Sequence, residues 1–276
     1  MSEQPTQSGR SAKAEAGAFG AIPELGACDY LYSLNLDFNI EAQLIAVRGL
    51  LDRNRQGAAE LTGQIKQIEE HARGVSGVQA DWALDNWLNH IHHSAYQEAA
   101  HSMSAVGMLA PLVETIFYQC FQRIGDRFYP ASQPTKCHDR WKAARVIQWD
   151  CHNFIIGNRS KKNLVRGIFQ LSEAVGLTSK LPAELKRTLS ALFAYRNNMF
   201  HLGFEWPRED RERFAKRITD EGWPNDWFNG ATSGSNPWIF YMSDSFIEHC
   251  LTTTDSVLDA IGVFVRDELL PKQPAS

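Results

Sequence analysis

Apolar residues recur at helical spacing through most of the chain. In "DFNIEAQLIAVRGLLDRNRQGAAELTGQIKQIEEHARG", Ile40, Leu44, Val47 and Leu51, then Leu61, Ile65 and Ile68, fall three or four apart, the period of one helix face. Gly57 and Gly63 predict a break of this stretch into two pieces. "QADWALDNWLNHIHHSAYQEAAHSMSAVGML" repeats the pattern, with Trp87 and Ile91 four apart. Pro111 follows, and either kinks a long helix or opens a new one in its first turn.

Downstream, "PLVETIFYQCFQRIGDRF" carries a dense stripe of Leu112, Val113, Ile116, Phe117, Cys120, Phe121 and Ile124. A loop with Pro130 and Pro134 leads to three segments read as helical: "CHDRWKAARVIQWDCHNFI", "SKKNLVRGIFQLSEAVGL" and "PAELKRTLSALFAYRNNMFHLGF". An amphipathic piece, "PREDRERFAKRITDEGW", comes next. Residues 223–237 are rich in Gly, Asn and Ser and predict a loop, with "PWIFYM" a short strand or a buried linker. "SDSFIEHCLTTTDSVLDAIGVFVRDELL" predicts a long helix opened by Ser243 or Asp244 as N-cap and ended before Pro271. With no run of alternating strands and no internal repeat, the fold class is all-α. Residues 1–22, small and polar, predict a disordered tail, and 23–276 a single helical domain with appended helices at 38–74 and 243–270.

Composition narrows the function. Apolar residues make up 43% and charged residues 22% of 276, an ordinary globular balance. A net charge of −4 argues against a general nucleic-acid coat, although a local basic patch remains compatible with it. Cys28, Cys120, Cys137, Cys151 and Cys250 are scattered, odd in number and without a CxxC pair, which fits a reducing compartment better than a disulfide framework. The first residues lack an apolar signal-peptide core, and no run approaches the ~18 apolar residues of a membrane span. The expectation is a cytoplasmic protein without a membrane partner.

The stretch "LFAYRNNMFHLGFEWP" breaks the apolar pattern. On a helical wheel Leu185, Leu189, Leu192, Phe193, Met199 and Phe200 share one face, and Arg196 falls near its middle. A core-facing guanidinium must be paired or belong to a site. Asn197 and His201, four apart, share the neighbouring stripe. Gly203 is a natural C-cap, which puts His201 in the last turn, where the helix dipole favours a cation. An edge-of-core arginine with a capping histidine is the plain structural alternative. Glu114, on the edge of its own apolar stripe, is either a partner that holds Arg196 or a surface carboxylate. A metal-binding bundle is a lesser alternative. Glu98 and His101 have the Glu-x-x-His spacing of di-metal bundles, and His90 and His93 are three apart, but no second Glu-x-x-His exists. No metal or other cofactor is expected.

Arg196, the polar Asn197 and His201 near a helix end resemble the R-x4–6-H motif of the HEPN superfamily, and the resemblance covers roughly residues 80–205. "AHSMSAVGMLAPLVETIF" is similar to the upstream bundle helix of bacterial members. The resemblance implies a HEPN-like helical bundle and a metal-independent endoribonuclease. It further implies a homodimer with facing motifs, found in toxin–antitoxin, abortive-infection or CRISPR defence against phage. The partners would be RNA and an antitoxin or regulatory protein. Arg196, Asn197 and His201 would be catalytic. Arg159, Lys161, Lys162 and Arg166 in "NRSKKNLVR" would track the RNA backbone, or form only a solvated basic turn. A second match, Arg145 to His152 in "RVIQWDCH", lacks both the following polar residue and the glycine cap, so Arg196 is preferred. A non-catalytic helical interaction or RNA-binding module is the main alternative.

Overall fold

The computed structural model describes residues 25–130, 132, 138–157, 159–233 and 236–271. The tail expected at 1–22 and Cys137 lie outside them. After a 3-10 helix at Ala27–Leu34 come α1 (Ile40–Gly74) and α2 (Val78–Phe128). A 3-10 turn at Asp139–Lys142, α3 (Arg145–Gln148) and a hairpin of β1 (Asn153–Ile156) with β2 (Arg159–Lys162) follow. Then come α4 (Leu164–Val175), α5 (Leu185–Leu202) and α6 (Arg208–Asp220). A second antiparallel hairpin, β3 (Phe228–Ser233) with β4 (Asn236–Met242), precedes α7 (Asp244–Phe264). The described chain is mostly helical, with two small antiparallel sheets rather than none.

Helix α2 is the axis of the molecule. Its dense stripe is buried as expected, with Ile116, Phe117, Cys120, Phe121 and Ile124 at 1% exposure or less. Val113, Ile116 and Phe117 share a seam with Leu185, Leu189 and Leu192 of α5 and with Cys250 and Val257 of α7. Pro111 neither ends nor restarts the helix, which runs through it. By length and composition α2 also passes for a membrane-crossing helix, contrary to the sequence expectation: one 18-residue window has a mean hydropathy of 1.2. Other elements bury 56% of that window, as they do in the central helix of a bundle.

Neither Gly57 nor Gly63 breaks α1. Each costs about 1 kcal/mol relative to alanine, and the surrounding Ala, Leu, Gln and Glu residues offset this. Gly77, at φ +65°, makes the turn into α2. None of residues 52–94 is buried. Residues Leu61, Ile65 and Ile68 of α1 and Trp87 and Ile91 of α2 are only half-covered, and Trp82 is 76% exposed. Between Arg55, which reaches Asp244 and Glu248 of α7, and His92, which packs on Trp238 of β4, the two helices form an arm with a seam but no third layer.

The other corrections fall where elements are short. "CHDRWKAARVIQWDCHNFI" is not one helix, because a buried side chain takes its carbonyls. The guanidinium of Arg140, fully enclosed, donates to the carbonyls of Gln148 (2.6 Å), Ile147 (3.1 Å), Asp150 and Asn153. Carbonyls spent on a guanidinium cannot serve a helix ladder. Burial pushes Arg140 down to about 10, so it keeps its charge at neutral pH. The region 223–237 is not all loop, since β3 pairs with β4 and "PWIFYM" is a strand. For the last helix the N-cap is Ser243, whose hydroxyl accepts the Phe246 N–H at 3.1 Å.

Candidate functional site

Among the described residues, two of the histidine-bearing clusters bear on the residues singled out from the sequence. The first is the C-terminal end of α5. Its upper turns are fixed by the seam with α2 and by Tyr195, which is fully buried with its hydroxyl donating to the Phe240 carbonyl at 3.1 Å. Beyond the helix, Gly203 adopts φ +76° and its N–H returns to the Met199 carbonyl at 3.1 Å, the cap expected from sequence. The Trp206 indole N–H then donates to the Gly203 carbonyl at 2.8 Å, and its ring packs among Tyr195, Phe214 and Phe240. An aromatic box therefore holds the end of the helix.

Arg196 is half-buried, not core-facing as the wheel suggests. The stripe is regular, but its neighbours run out. Phe200, on the same face, lies over Gly107 of α2, where a Cβ would come 3.3 Å from the ring. Gly107 offers no side chain to cover it, and Phe200 stays 52% exposed. The Arg196 guanidinium contacts the side-chain oxygen of Asn197 at 3.4 Å, and among the described residues no carboxylate forms an ion pair with it. Asn197 and His201 are exposed, on one stripe of the helix. No described residue hydrogen-bonds the His201 ring. A cation, an amide and an imidazole are thus available to something outside the fold.

The second cluster is one that sequence reasoning misplaced. Glu114 does not hold Arg196; its Oε1 lies 2.7 Å from Nε2 of His152. The other ring nitrogen of His152, Nδ1, lies 2.6 Å from Oδ1 of Asp150, whose second oxygen accepts from the Asn153 amide. Tyr118, one turn from Glu114, packs its ring 5.3 Å from the imidazole. Burial works against ionising Asp150, but the backbone N–H and ring of His152 outweigh it and hold its carboxyl below the usual range. Arg140 fixes the loop that carries Asp150 and His152. Gly167 of α4 lets that loop sit close, because a Cβ there would meet the Cys151 carbonyl at 2.0 Å. Both nitrogens of His152 therefore face carboxylates of the fold itself. Arg145 is remote from this arrangement in its bonding and donates to the Pro130 carbonyl.

The basic residues do not form one face. Arg159, Lys161 and Lys162 lie on β2, exposed throughout, and a strand alternates its side chains. Lys162 comes within 3.9 Å of Asp150. Arg166, on α4, lies over the Phe154 ring at 5.6 Å. The metal alternative finds His101 3.8 Å from Asp244, with Glu98 raised by burial first and by Asp244 second. Among the described residues no group of three or more His, Cys, Asp or Glu side chains is placed to hold a metal ion. His90 and His93 meet edge to face, with ring centroids 6.4 Å apart.

Arg140, Asp150 and the pairing of Glu114 with His152 are what the sequence does not reveal. "DCHN" carried a weak signal, in that an Asp two residues before a His can bond its ring and backbone together. Nothing in "CHDRWK" marks Arg140 as interior. No protein-family model matches this chain, and no curated protein or solved structure does either.

Proposed function

We propose that the protein is a metal-independent endoribonuclease of HEPN type, acting at the end of α5. The observation that carries this reading is the un-neutralised Arg196, which is half-buried, bonded only to the amide beside it, and a turn and a half from an unengaged imidazole. A structural arginine at a core edge ordinarily finds a carboxylate or carbonyl. Arg140 in this same chain has four carbonyls.

The chemistry is attack of a ribose 2′-hydroxyl on the adjacent phosphorus. His201 removes the proton as the O2′–P bond forms, and a protonated imidazole supplies one to O5′ as the P–O5′ bond breaks. Proton transfer of this kind is worth roughly 10²–10⁴-fold. Arg196 offers a planar donor fork to the phosphorane oxygens, stronger in a partly desolvated site than in water. Asn197 holds the guanidinium or the phosphate. A homodimer with facing helix ends supplies the second His201 as acid. Arg159, Lys161, Lys162 and Arg166 add phosphate contacts that weaken with salt. The setting would be cytoplasmic, with an antitoxin or other regulatory protein restraining the activity, as in defence systems.

The test is incubation of purified protein with RNA in EDTA. The expected products carry a 2′,3′-cyclic phosphate and a 5′-hydroxyl, and no cleavage under any RNA and salt condition overturns the reading. A second reading, a non-catalytic interaction module, is favoured by the arm, where Val78 is 73% and Trp82 76% exposed. Growth arrest on expression that Arg196→Ala relieves supports the nuclease. Harmless expression without cleavage supports the module.

A further inference from the structure

Between the 3-10 helix, α1 and α7 lies a cleft of about 820 Å³. The 3-10 helix at Ala27–Leu34, the first turns of α1 and the middle of α7 form its walls. Its floor is apolar and already buried: Leu31, Leu44 and Leu258. Its walls are apolar and uncovered: Tyr32 is 75% and Ile45 64% exposed. Large exposed apolar side chains lining an open groove over a buried apolar floor are the pattern of a docking surface.

Charge identifies what the groove fits. Five carboxylates line it against one cation, Arg48. Arg48 is consumed by Asp255, and Asp37 by Arg123. Asp29, Glu41 and Asp259 have no cation among the described residues. Asp29 accepts the Gly26 N–H at 2.7 Å, and Asp259 accepts the Cys28 thiol at 3.1 Å. The Cys28 thiol reports the local field: burial first, then Asp259 and its neighbours, push it up to about 12, so it stays protonated. We propose that this cleft docks a cationic amphipathic helix of a partner protein, apolar side chains at i and i+4 seated between Tyr32 and Ile45, with Lys or Arg over Asp29, Glu41 and Asp259. This is the helix-in-groove mode with electrostatic steering. It stands on observations separate from the α5 site and does not rest on the nuclease reading.

The probe is a labelled 14-residue helical peptide of leucine and lysine, with its leucine–glutamate counterpart as control, titrated by anisotropy into the full chain. The lysine peptide is expected to bind saturably, at least tenfold tighter than the glutamate peptide. Ile45→Ser and Glu41→Gln are both exposed positions, so folding, checked by circular dichroism, is preserved. Each is expected to weaken binding about fivefold or more, while Asp220→Asn, an exposed carboxylate on α6, leaves it unchanged. Absence of saturable binding overturns the proposal, as does binding indifferent to Ile45→Ser and Glu41→Gln. Binding that appears only after residues 1–24 are deleted also overturns it, because the cleft then belongs to the chain's own segment rather than to a partner.

Discussion

Two arginine–histidine pairs in this chain satisfy the same spacing rule, and their surroundings differ in every respect that matters to chemistry. Arg196 and His201 sit at a helix end, where the one side-chain hydrogen bond either makes to a described residue is that of Arg196 to the neighbouring Asn197 amide. Arg145 and His152 sit at the two ends of a folded loop. There the arginine turns away to the Pro130 carbonyl, and the histidine is gripped by Glu114 and Asp150 at 2.7 and 2.6 Å. Spacing treats the pairs alike, and accounting for partners separates them. A group whose hydrogen-bonding capacity is already spent stabilises the fold, and a group left unspent in a partly buried position is available to a ligand.

Four substitutions sharpen or break that contrast. The largest effect is expected from Arg140→Leu, which leaves four inward carbonyls without a donor. Loss of a buried charge network of this kind costs about 3–5 kcal/mol, read as a lower urea midpoint. Retention of wild-type stability would mean that the loop holding His152 is not built around Arg140. Next is Arg196→Ala, expected to reduce RNA cleavage by roughly 10²–10³-fold, the value of one transition-state donor. Its melting temperature should barely move, and a large drop in stability would turn Arg196 into a structural residue.

Asp150 gives a smaller, pH-dependent effect. Its folded pKa is depressed, so its contribution to stability is present above the unfolded value of 3.8 and is lost as pH falls through the folded one. Asp150→Asn should therefore flatten the acid limb of the stability profile below pH 3.8 and leave the slope at higher pH alone. An unchanged acid limb would show that the His152 contacts do not hold in solution. The smallest effect is expected from Arg145→Ala, an exposed side chain. Stability should shift by no more than about 0.5 kcal/mol, and cleavage should stay within about twofold, about 0.4 kcal/mol. A severe loss of cleavage there would reinstate the second match.

The long elements were legible from the sequence. The stripe from Leu112 to Ile124 has a full helical period, and the N-cap at Ser243 and the C-cap at Gly203 follow from local chemistry. What escaped is what depends on distant partners. β2 reads "RSKK", with no apolar alternation, and becomes a strand only because β1 lies beside it. Arg140 is interior only because a loop returns over it. The wheel placed Arg196 on the right stripe, but exposure along a stripe depends on what lies opposite. Opposite Phe200 stands Gly107, which covers nothing. Glu114 pairs with His152 rather than Arg196, since its edge position is a property of α2 while its partner is a property of the tertiary fold.

The most direct test sets the two histidines side by side. His201→Ala and His152→Ala are purified, matched for folded fraction, and assayed on one RNA in EDTA. His201→Ala is expected to lose at least about 100-fold, the low end of general acid–base help, whereas His152→Ala keeps cleavage near wild type once its lower stability is allowed for. Equal losses, or full activity in His201→Ala, would contradict this expectation.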